Sequence, residues 1–150
     1  MSNIVRAADR FRRHQLSQLS SILHVDDDDD IRDIAKMALT MVDSYELRQA
    51  ASASQALAEI EDQIPDLLLL DVMMPETTGP QLWDVIKSRP DLKHIPVIFM
   101  TAKAEDSVSV ELLKAGALAV ITKPFDPMTL GQQIRSVWDE KLDVVASSSG

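Results

Sequence analysis

Residues 66–71 have the sequence DLLLLD, in which four consecutive leucines stand between two carboxylates. An apolar run this short, with no polar residue at alternate positions, indicates a strand that is buried on both faces. Strands of that kind occur mainly in parallel sheets whose two faces are covered by helices. The motif therefore predicts an α/β fold, and it places Asp71 at the carboxyl end of a buried strand.

The rest of the chain alternates between short apolar runs and helical periodicity. The further apolar runs predict strands at 21–26, 45–50, 95–100 and 118–121. Apolar residues at every third or fourth position predict helices at 31–42, 52–63, 81–88, 105–115 and 127–142. Because strands alternate with helices throughout, we expect a doubly wound sheet of five parallel strands with helices on both faces.

The composition excludes several classes of protein. The 150 residues fit one domain, because domains commonly contain ~100–200 residues. The chain has no cysteine, so neither a disulfide framework nor thiolate chemistry is available to it. No apolar run approaches the ~18 residues that a membrane helix needs, and the N-terminus lacks the apolar core of a secretory signal. We therefore expect a cytoplasmic location.

The charge is unevenly distributed along the chain. The net charge of −9 repels phosphate backbones and therefore disfavours direct binding of nucleic acid. Residues 1–20 nevertheless form a basic extension, with four arginines against one aspartate. Apolar residues at near-helical spacing in this extension leave two interpretations open, an amphipathic helix that docks on a surface or a disordered leader.

Polar side chains follow the predicted strands and together indicate one chemistry. Asp26 and Asp27 follow the first strand, Asp71 and Thr101 end the third and fourth, and Lys123 follows the fifth. Because ligands of open α/β sheets bind at the carboxyl ends of the strands, we expect these side chains to converge. Clustered carboxylates need a counter-charge, and hard oxygen donors suit Mg²⁺, with Mn²⁺ as the alternative. A carboxylate also serves as a nucleophile toward a phosphoryl group, whose oxygens a lysine and a hydroxyl stabilise.

Four stretches of sequence carry a resemblance to a known family. They are ILHVDDDDDIR at 22–32, LLLLDVMMP at 67–75 with Gly79 beyond it, VIFMTA at 97–102, and GALAVITKPF at 116–125. In their order and spacing they resemble the receiver domain of two-component response regulators, the family that includes the stand-alone chemotaxis regulator. The resemblance covers 21–142, and we expect 143–150 to be a flexible tail.

The resemblance implies a fold and a role for each site residue. It implies a flavodoxin-like sheet with strand order 2-1-3-4-5 and a cis peptide bond between Lys123 and Pro124. The implied roles are Asp71 as phosphoacceptor, Asp26 and Asp27 as the acidic pair that holds Mg²⁺, Met73 as a backbone-carbonyl ligand of that ion, Thr101 as the switch hydroxyl and Lys123 as the phosphate contact.

The resemblance also implies partners. The phosphoryl group would come from a sensor histidine kinase or a histidine phosphotransfer protein, and the domain would catalyse its own slow dephosphorylation. No DNA-binding or enzymatic segment is recognisable after residue 142, so we expect output through contact with a downstream protein.

One position departs from the family pattern. Receivers usually carry an aromatic residue three positions before the lysine, and here that position is Val120. Valine is smaller and stiff at χ1, so it cannot reproduce the rotation of an aromatic ring. The hypothesis is that output is muted or uses another surface. A large concerted change in chemical shifts over the last strand and its flanking helices on phosphorylation would count against it.

Two alternative functions remain open. A Mg²⁺-dependent phosphatase of the haloacid dehalogenase type also forms an aspartyl phosphate, but its DxD motif needs an acid where Met73 stands. The other alternative is a pseudo-receiver, a binding module that is never phosphorylated. For His24, inside the first predicted strand, we expect a hydrogen-bonded core residue rather than a phosphodonor or a metal ligand.

Overall fold

A computed structural model describes the backbone of residues 18–149 and the side chains of residues 18–141. Most of the basic extension at 1–20, including its four arginines, lies outside the described residues. In chain order the elements are β1 (Ser21–Val25), α1 (Asp29–Met37) continued by a π-helical segment (Ala38–Val42), β2 (Glu46–Ala50), α2 (Ala53–Asp62), β3 (Leu67–Asp71), α3 (Gly79–Lys87), β4 (Val97–Thr101), α4 (Ser107–Lys114), β5 (Ala119–Thr122) and α5 (Leu130–Ser149).

The strands form one parallel sheet in the order β2-β1-β3-β4-β5. This confirms the predicted doubly wound fold and its strand order. Every residue of β3 and of β4 is buried, as expected for central strands that are covered on both faces. β2 is added on one side of β1, whereas β3, β4 and β5 are added on the other side, so the strand order reverses between β1 and β3. This switch point is where doubly wound sheets bind their ligands.

The alternating side chains of β3 divide the core into two layers. Leu68 and Leu70 pack with α2, α3 and α4 on one face, whereas Leu67 and Leu69 pack with the π-helical segment and α5 on the other. An edge-to-face contact between Trp83 and Phe99, with ring centroids 5.4 Å apart, joins α3 to β4 in the first layer. The four leucines of the opening motif therefore hold both layers together.

Polar residues fix the start of each of the first four helices. Asp28 caps α1 by accepting hydrogen bonds from the main-chain N–H groups of residues 30 and 31. Ser52 caps α2 by accepting a hydrogen bond from the main-chain N–H of Gln55. Thr78 and Gln81 form a reciprocal capping box at α3, and Asp106 caps α4. These caps fix where each helix leaves the edge of the sheet that carries the polar side chains.

In two helices, the apolar face that the sequence predicts includes side chains that do not pack in the core. Ile34 and Val42 are 41% and 44% exposed, and Val85 is 44% exposed, although their helical spacing in the sequence predicts side chains on the buried face. The buried face of the first helix is narrower and centres on Ala35, Ala38 and Leu39. The switch to π-helical hydrogen bonding at Ala38 also changes the periodicity, so the later residues leave the face that the α-helical spacing assigns them.

The last helix is longer than its pattern predicts. It extends to Ser149 rather than ending at residue 142, so 143–149 are helical, and the flexibility expected of 143–150 stays a prediction. Among the helices in residues 18–149, none combines the length and the apolar character needed to cross a bilayer.

Gly79 allows a close approach between α3 and the end of β3, and this generates a prediction. A Cβ atom at Gly79 would overlap the main-chain carbonyl oxygen of Asp71, which cannot move without displacing the strand end. We expect Gly79→Ala to lower the free energy of unfolding by ~1–3 kcal/mol, the usual effect of overpacking, measured by urea denaturation.

Gly131 in α5 is the matched control. A Cβ atom there would overlap only the carboxylate of Asp43, a side chain that can rotate away. Gly131→Ala should therefore destabilise the protein less than Gly79→Ala. Equal effects of the two substitutions would contradict the account of the β3–α3 contact.

Candidate functional site

The candidate site lies at the carboxyl edge of the sheet, where strand ends place its side chains. Asp71 and Thr101 are the last residues of β3 and β4, and Asp26 and Lys123 follow β1 and β5 directly. Because these four strands are consecutive neighbours in the sheet, the side chains converge as predicted. They line a cleft of about 250 Å³ together with Asp27, Asp28, Met73 and Ala102.

Three carboxylates are brought close together in this cleft. Asp26, Asp27 and Asp71 each present an oxygen, and these oxygens lie within 4.8 Å of one another. Asp26 is fully buried and Asp71 is 5% exposed, whereas Asp27 is exposed at the mouth. Carboxylates in such a cluster repel one another, so the site requires positive charge.

Lys123 supplies positive charge at the centre of the cluster. Its Nζ donates a 2.6 Å hydrogen bond to Asp26 Oδ2 and lies 3.1 Å from Asp71 Oδ1. Burial opposes the charged form of Lys123, but the hydrogen bonds to Asp26 and Asp71 outweigh it and raise the pKa of the lysine. The peptide bond from Lys123 to Pro124 is cis, which confirms the implied geometry.

The pKa of Asp71 is raised to about 6. Burial is the main cause, the negative charge of Asp26 adds to it, and Lys123 opposes it. A hydrogen bond from the Met73 main-chain N–H also favours the ionised form. Above pH 6 Asp71 is therefore a carboxylate held in a site of low solvent access, which is the state that a nucleophile needs.

Thr101 and Met73 both line the cleft, but Thr101 is buried whereas Met73 is exposed. Thr101 is 8% exposed, and its Oγ1 accepts a 3.3 Å hydrogen bond from the main-chain N–H of Lys103. Because that bond uses only a lone pair, the hydroxyl hydrogen of Thr101 remains free to donate toward the cleft. The Met73 side chain is 73% exposed at the mouth, and the metal-ligand role of its carbonyl stays a prediction.

His24 and Val120 do not line the cleft that holds the carboxylates. His24 is fully buried in β1, with Nδ1 3.1 Å from Gln49 Nε2. Its Nε2 has no hydrogen-bond partner among the described residues, so the expectation of a fully hydrogen-bonded histidine is met at one nitrogen only. Val120 is half-buried opposite Phe99 of β4, and it borders a separate cleft of about 550 Å³ between β5 and α5. Its effect on output stays a prediction.

Arg32 and Gln49 lie beside the site, although no sequence motif predicts their position there. Arg32 Nη1 donates a 2.7 Å hydrogen bond to the main-chain oxygen of Asp26, and Gln49 Nε2 donates one of 2.8 Å to the main-chain oxygen of Arg32. Arg32 is part of the stretch ILHVDDDDDIR, but nothing in that pattern shows that its side chain turns back to the strand end.

Comparison with known proteins agrees with this geometry. The family described as the response regulator receiver domain matches residues 22–135. This chain belongs to the response regulator receiver domain family. Receiver domains function in two-component signalling, and this receiver domain is therefore a component of such a system.

Individual relatives support the same assignment. The receiver domain is 41% identical, over 117 residues and 78% of its length, to the phosphate regulon transcriptional regulatory protein PhoB of Pseudomonas aeruginosa. Its structure is similar to that of the chemotaxis protein CheY4 of Vibrio cholerae, with a TM-score of 0.73, 28% identity and coverage of 80% and 99% of the two chains. A CheY-like receiver domain protein of Methanospirillum hungatei has a TM-score of 0.69 and 38% identity, with coverage of 83% and 97%. The chain spans about half the length of the curated relatives it matches first, 51% for PhoB.

The ion pair of Lys123 with the buried carboxylates generates a stability prediction. Lys123→Met leaves Asp26 buried without its cation, and breaking a buried pair in this way costs ~3–5 kcal/mol. We expect a loss of that size in urea denaturation without divalent cations, and partial recovery when Mg²⁺ is added. Lys114→Met is the control, because its pair with Glu111 is exposed and such pairs contribute ~0–1 kcal/mol. Equal losses in the two variants would contradict the central role of Lys123.

The pKa values of His24 and Asp71 are shifted in opposite directions, and these shifts predict how stability changes at acid pH. Burial lowers the pKa of His24 to about 4 from 6.5, so between these values the unfolded chain binds a proton that the folded protein does not. His24 therefore reduces stability as the pH falls from 6.5 toward 4. Asp71, whose pKa rises from 3.8 to about 6, has the opposite effect in the window between those two values.

Two single variants separate these effects. The free energy of unfolding of His24→Leu should fall less steeply than that of the wild type between pH 6.5 and pH 4.5. The free energy of unfolding of Asp71→Asn should fall more steeply than that of the wild type below pH 6. Each of these differences in slope is at most ~1.4 kcal/mol per pH unit. Urea denaturation at a series of pH values measures this, and parallel curves for all three proteins would contradict the assignment.

Proposed function

We propose that this receiver domain is a phosphoacceptor, and that Asp71 takes a phosphoryl group from the phosphohistidine of a sensor histidine kinase or of a histidine phosphotransfer protein. The observation that carries the proposal is the arrangement around Asp71. Its carboxylate ends a central strand, lies 3.1 Å from the Lys123 ammonium and within 4.8 Å of oxygens of Asp26 and Asp27, in a cleft that Thr101 also lines.

The transfer step follows from these positions. An oxygen of the ionised Asp71 carboxylate attacks phosphorus, the phosphorus–nitrogen bond of phosphohistidine breaks, and the imidazole leaves with the bonding electron pair. Lys123 attracts a phosphoryl oxygen by charge, and Thr101 donates a hydrogen bond to another. The cleft of about 250 Å³ is below the ~300–1,000 Å³ of ordinary small-molecule pockets, which suits a phosphoryl group with a few waters.

The dephosphorylation step uses the same residues. Water attacks phosphorus, the bond from the Asp71 oxygen to phosphorus breaks, and inorganic phosphate leaves while the carboxylate is restored. Met73 and Asp27, which are exposed at the mouth of the cleft, border the path by which that water enters.

The donor set fits a hard divalent cation. Asp26, Asp27 and Asp71 offer carboxylate oxygens within 4.8 Å of one another, and the Met73 main-chain carbonyl is the fourth ligand in this proposal. Lys123 brings one positive charge against three carboxylates, so a second cation improves the charge balance. Mg²⁺, or Mn²⁺ in its place, supplies neutralisation of charge on the transferring phosphoryl oxygens when it is bound. The exposure of Asp27 leaves room for the waters that Mg²⁺ retains.

The proposal includes protein partners for this site. A phosphohistidine side chain reaches Asp71 only from the open edge of the sheet, so the donor protein must dock over the mouth of the cleft. The net charge of −9 disfavours direct contact with nucleic acid, so we expect output through contact with a downstream protein. The location that we propose for these contacts is the cytoplasm.

The test is the intact mass of the protein after incubation with acetyl phosphate, with and without Mg²⁺. We expect the wild type to gain one phosphoryl group only when Mg²⁺ is present, because the cation offsets the charge of the incoming group. Asp71→Asn should gain none. Asp66→Asn is the matched control at the other end of β3, where the carboxylate binds Ser20 and Ser21, and it should gain the group normally.

Other outcomes identify other functions. A folded wild type that gains no mass under any condition would favour a pseudo-receiver that is never phosphorylated. Repeated turnover of a general phosphate ester such as p-nitrophenyl phosphate would favour the phosphatase of the haloacid dehalogenase type.

A further inference from the structure

We propose that Arg32, which is held by Gln49 and through it by His24, is a positioning residue that orients the Asp26–Asp27 pair and thereby sets the affinity of the site for a divalent cation. The inference rests on the proposed function, since it concerns the same acidic pair. It assigns a role to three residues that touch neither the phosphoryl group nor the cation.

The main chain of Asp26 is held on both sides. Its N–H donates a 3.1 Å hydrogen bond to the carbonyl oxygen of Ala50 at the end of β2. Its carbonyl oxygen accepts a 2.7 Å hydrogen bond from Arg32 Nη1. That carbonyl belongs to the peptide unit that joins Asp26 to Asp27, so Arg32 fixes the plane from which Asp27 departs.

Asp27 depends on this peptide unit for its orientation. Its side chain is exposed, and within residues 18–149 its carboxylate accepts no hydrogen bond. Asp26, in contrast, has both carboxylate oxygens bound, one to the Asp28 main-chain N–H at 2.9 Å and the other to Lys123. Loss of the Arg32 contact should therefore change the position of Asp27 more than that of Asp26.

Besides its bond to Asp26, Arg32 is held at two points. Its Nη2 donates to the carboxylate of Asp29, and its own main-chain oxygen accepts a 2.8 Å hydrogen bond from Gln49 Nε2. The Arg32 side chain is 19% exposed. The planar guanidinium reaches two acceptors at a fixed angle, which a lysine ammonium does not reproduce. The contacts join α1, the loop after β1, and β2 around the acidic pair.

The Arg32 carbonyl oxygen fixes the orientation of the Gln49 amide, and His24 contacts the same amide nitrogen. Gln49 Nε2 lies 2.8 Å from the Arg32 carbonyl oxygen and 3.1 Å from His24 Nδ1. A carbonyl oxygen only accepts, so the amide nitrogen must face it, and its second hydrogen then points to Nδ1 as an acceptor. His24 and Gln49 are paired in register across β1 and β2, and His24 is fully buried. The series of contacts thus begins at the buried His24 ring and ends at the Asp26 carbonyl.

Positioning and charge predict opposite effects for Arg32. A positive side chain close to the acidic pair repels a divalent cation, so its removal tightens cation binding if charge alone acts. If Arg32 orients the pair, its removal weakens binding, by the ~10–100-fold that loss of an outer-shell contact to a metal ligand commonly causes. The sign of the change therefore distinguishes the two roles.

The experiment is calorimetric titration of the intact protein with Mg²⁺ alone, at a temperature where every variant is folded. We expect Arg32→Met to raise the Kd for Mg²⁺ ~10-fold. Gln49→Leu should raise it less, and Arg32→Lys, which keeps the charge, should not restore it. Arg48→Met is the matched control, because Arg48 also binds a main-chain carbonyl, that of Glu59 at 2.7 Å, but away from the site. It should lower the melting temperature without changing the Kd.

A second readout keeps the inference separate from the proposed function. In Mg²⁺-free protein the ¹⁵N–¹H resonances of Asp27 and Asp28 should shift in Arg32→Met and Gln49→Leu but not in Arg48→Met. An unchanged or lower Kd in Arg32→Met, or full rescue by Arg32→Lys, would overturn the positioning role. If the wild type binds no Mg²⁺, the proposed function fails, and the amide resonances alone decide whether Arg32 orients the pair.

Discussion

The balance between three carboxylates and one lysine is the constraint on which the rest of the site depends. Asp26 and Asp71 are both buried, and burying a carboxylate is unfavourable unless a cation lies nearby. Lys123 contacts both, yet burial and the charge of Asp26 still raise the pKa of Asp71 to about 6, so one ammonium does not offset these two effects. An edge of a sheet with a remaining deficit of positive charge is suited to a divalent cation and, through it, to a phosphoryl group.

The sheet makes this balance possible because the three charged positions lie at the carboxyl ends of strands within one run of four neighbouring strands. β1, β3 and β5 carry Asp26, Asp71 and Lys123 at or just beyond their ends, and the intervening β4 carries Thr101. The apolar layers on the two faces are closely packed, so the strand ends cannot separate when like charges repel. The strand order therefore brings residues that are far apart in sequence together in one site.

Much of this arrangement is predictable because each signal is local. Leu67–Leu70 specify a strand buried on both faces, and a polar residue directly after such a strand lies at the binding edge. Other features depend on contacts that no local pattern carries. The side chain of Ile34 has the helical spacing of a core residue, but the packed face of α1 centres on Ala35 and Leu39 and leaves it exposed. The turn of Arg32 back to Asp26 and the in-register pairing of His24 with Gln49 arise only after β1, β2 and α1 have come together.

The central claim is that Asp71 receives a phosphoryl group whose oxygens contact Lys123 and Thr101 while Asp26 and Asp27 hold the cation. A crystal structure of the protein grown with Mg²⁺ and beryllofluoride, a stable mimic of a phosphoryl group, tests it most directly. We expect beryllium bonded to a carboxylate oxygen of Asp71, fluorines against Lys123 and Thr101, and Mg²⁺ on the acidic pair. Beryllofluoride bonded to another carboxylate, or none bound with the cleft intact, would contradict the account.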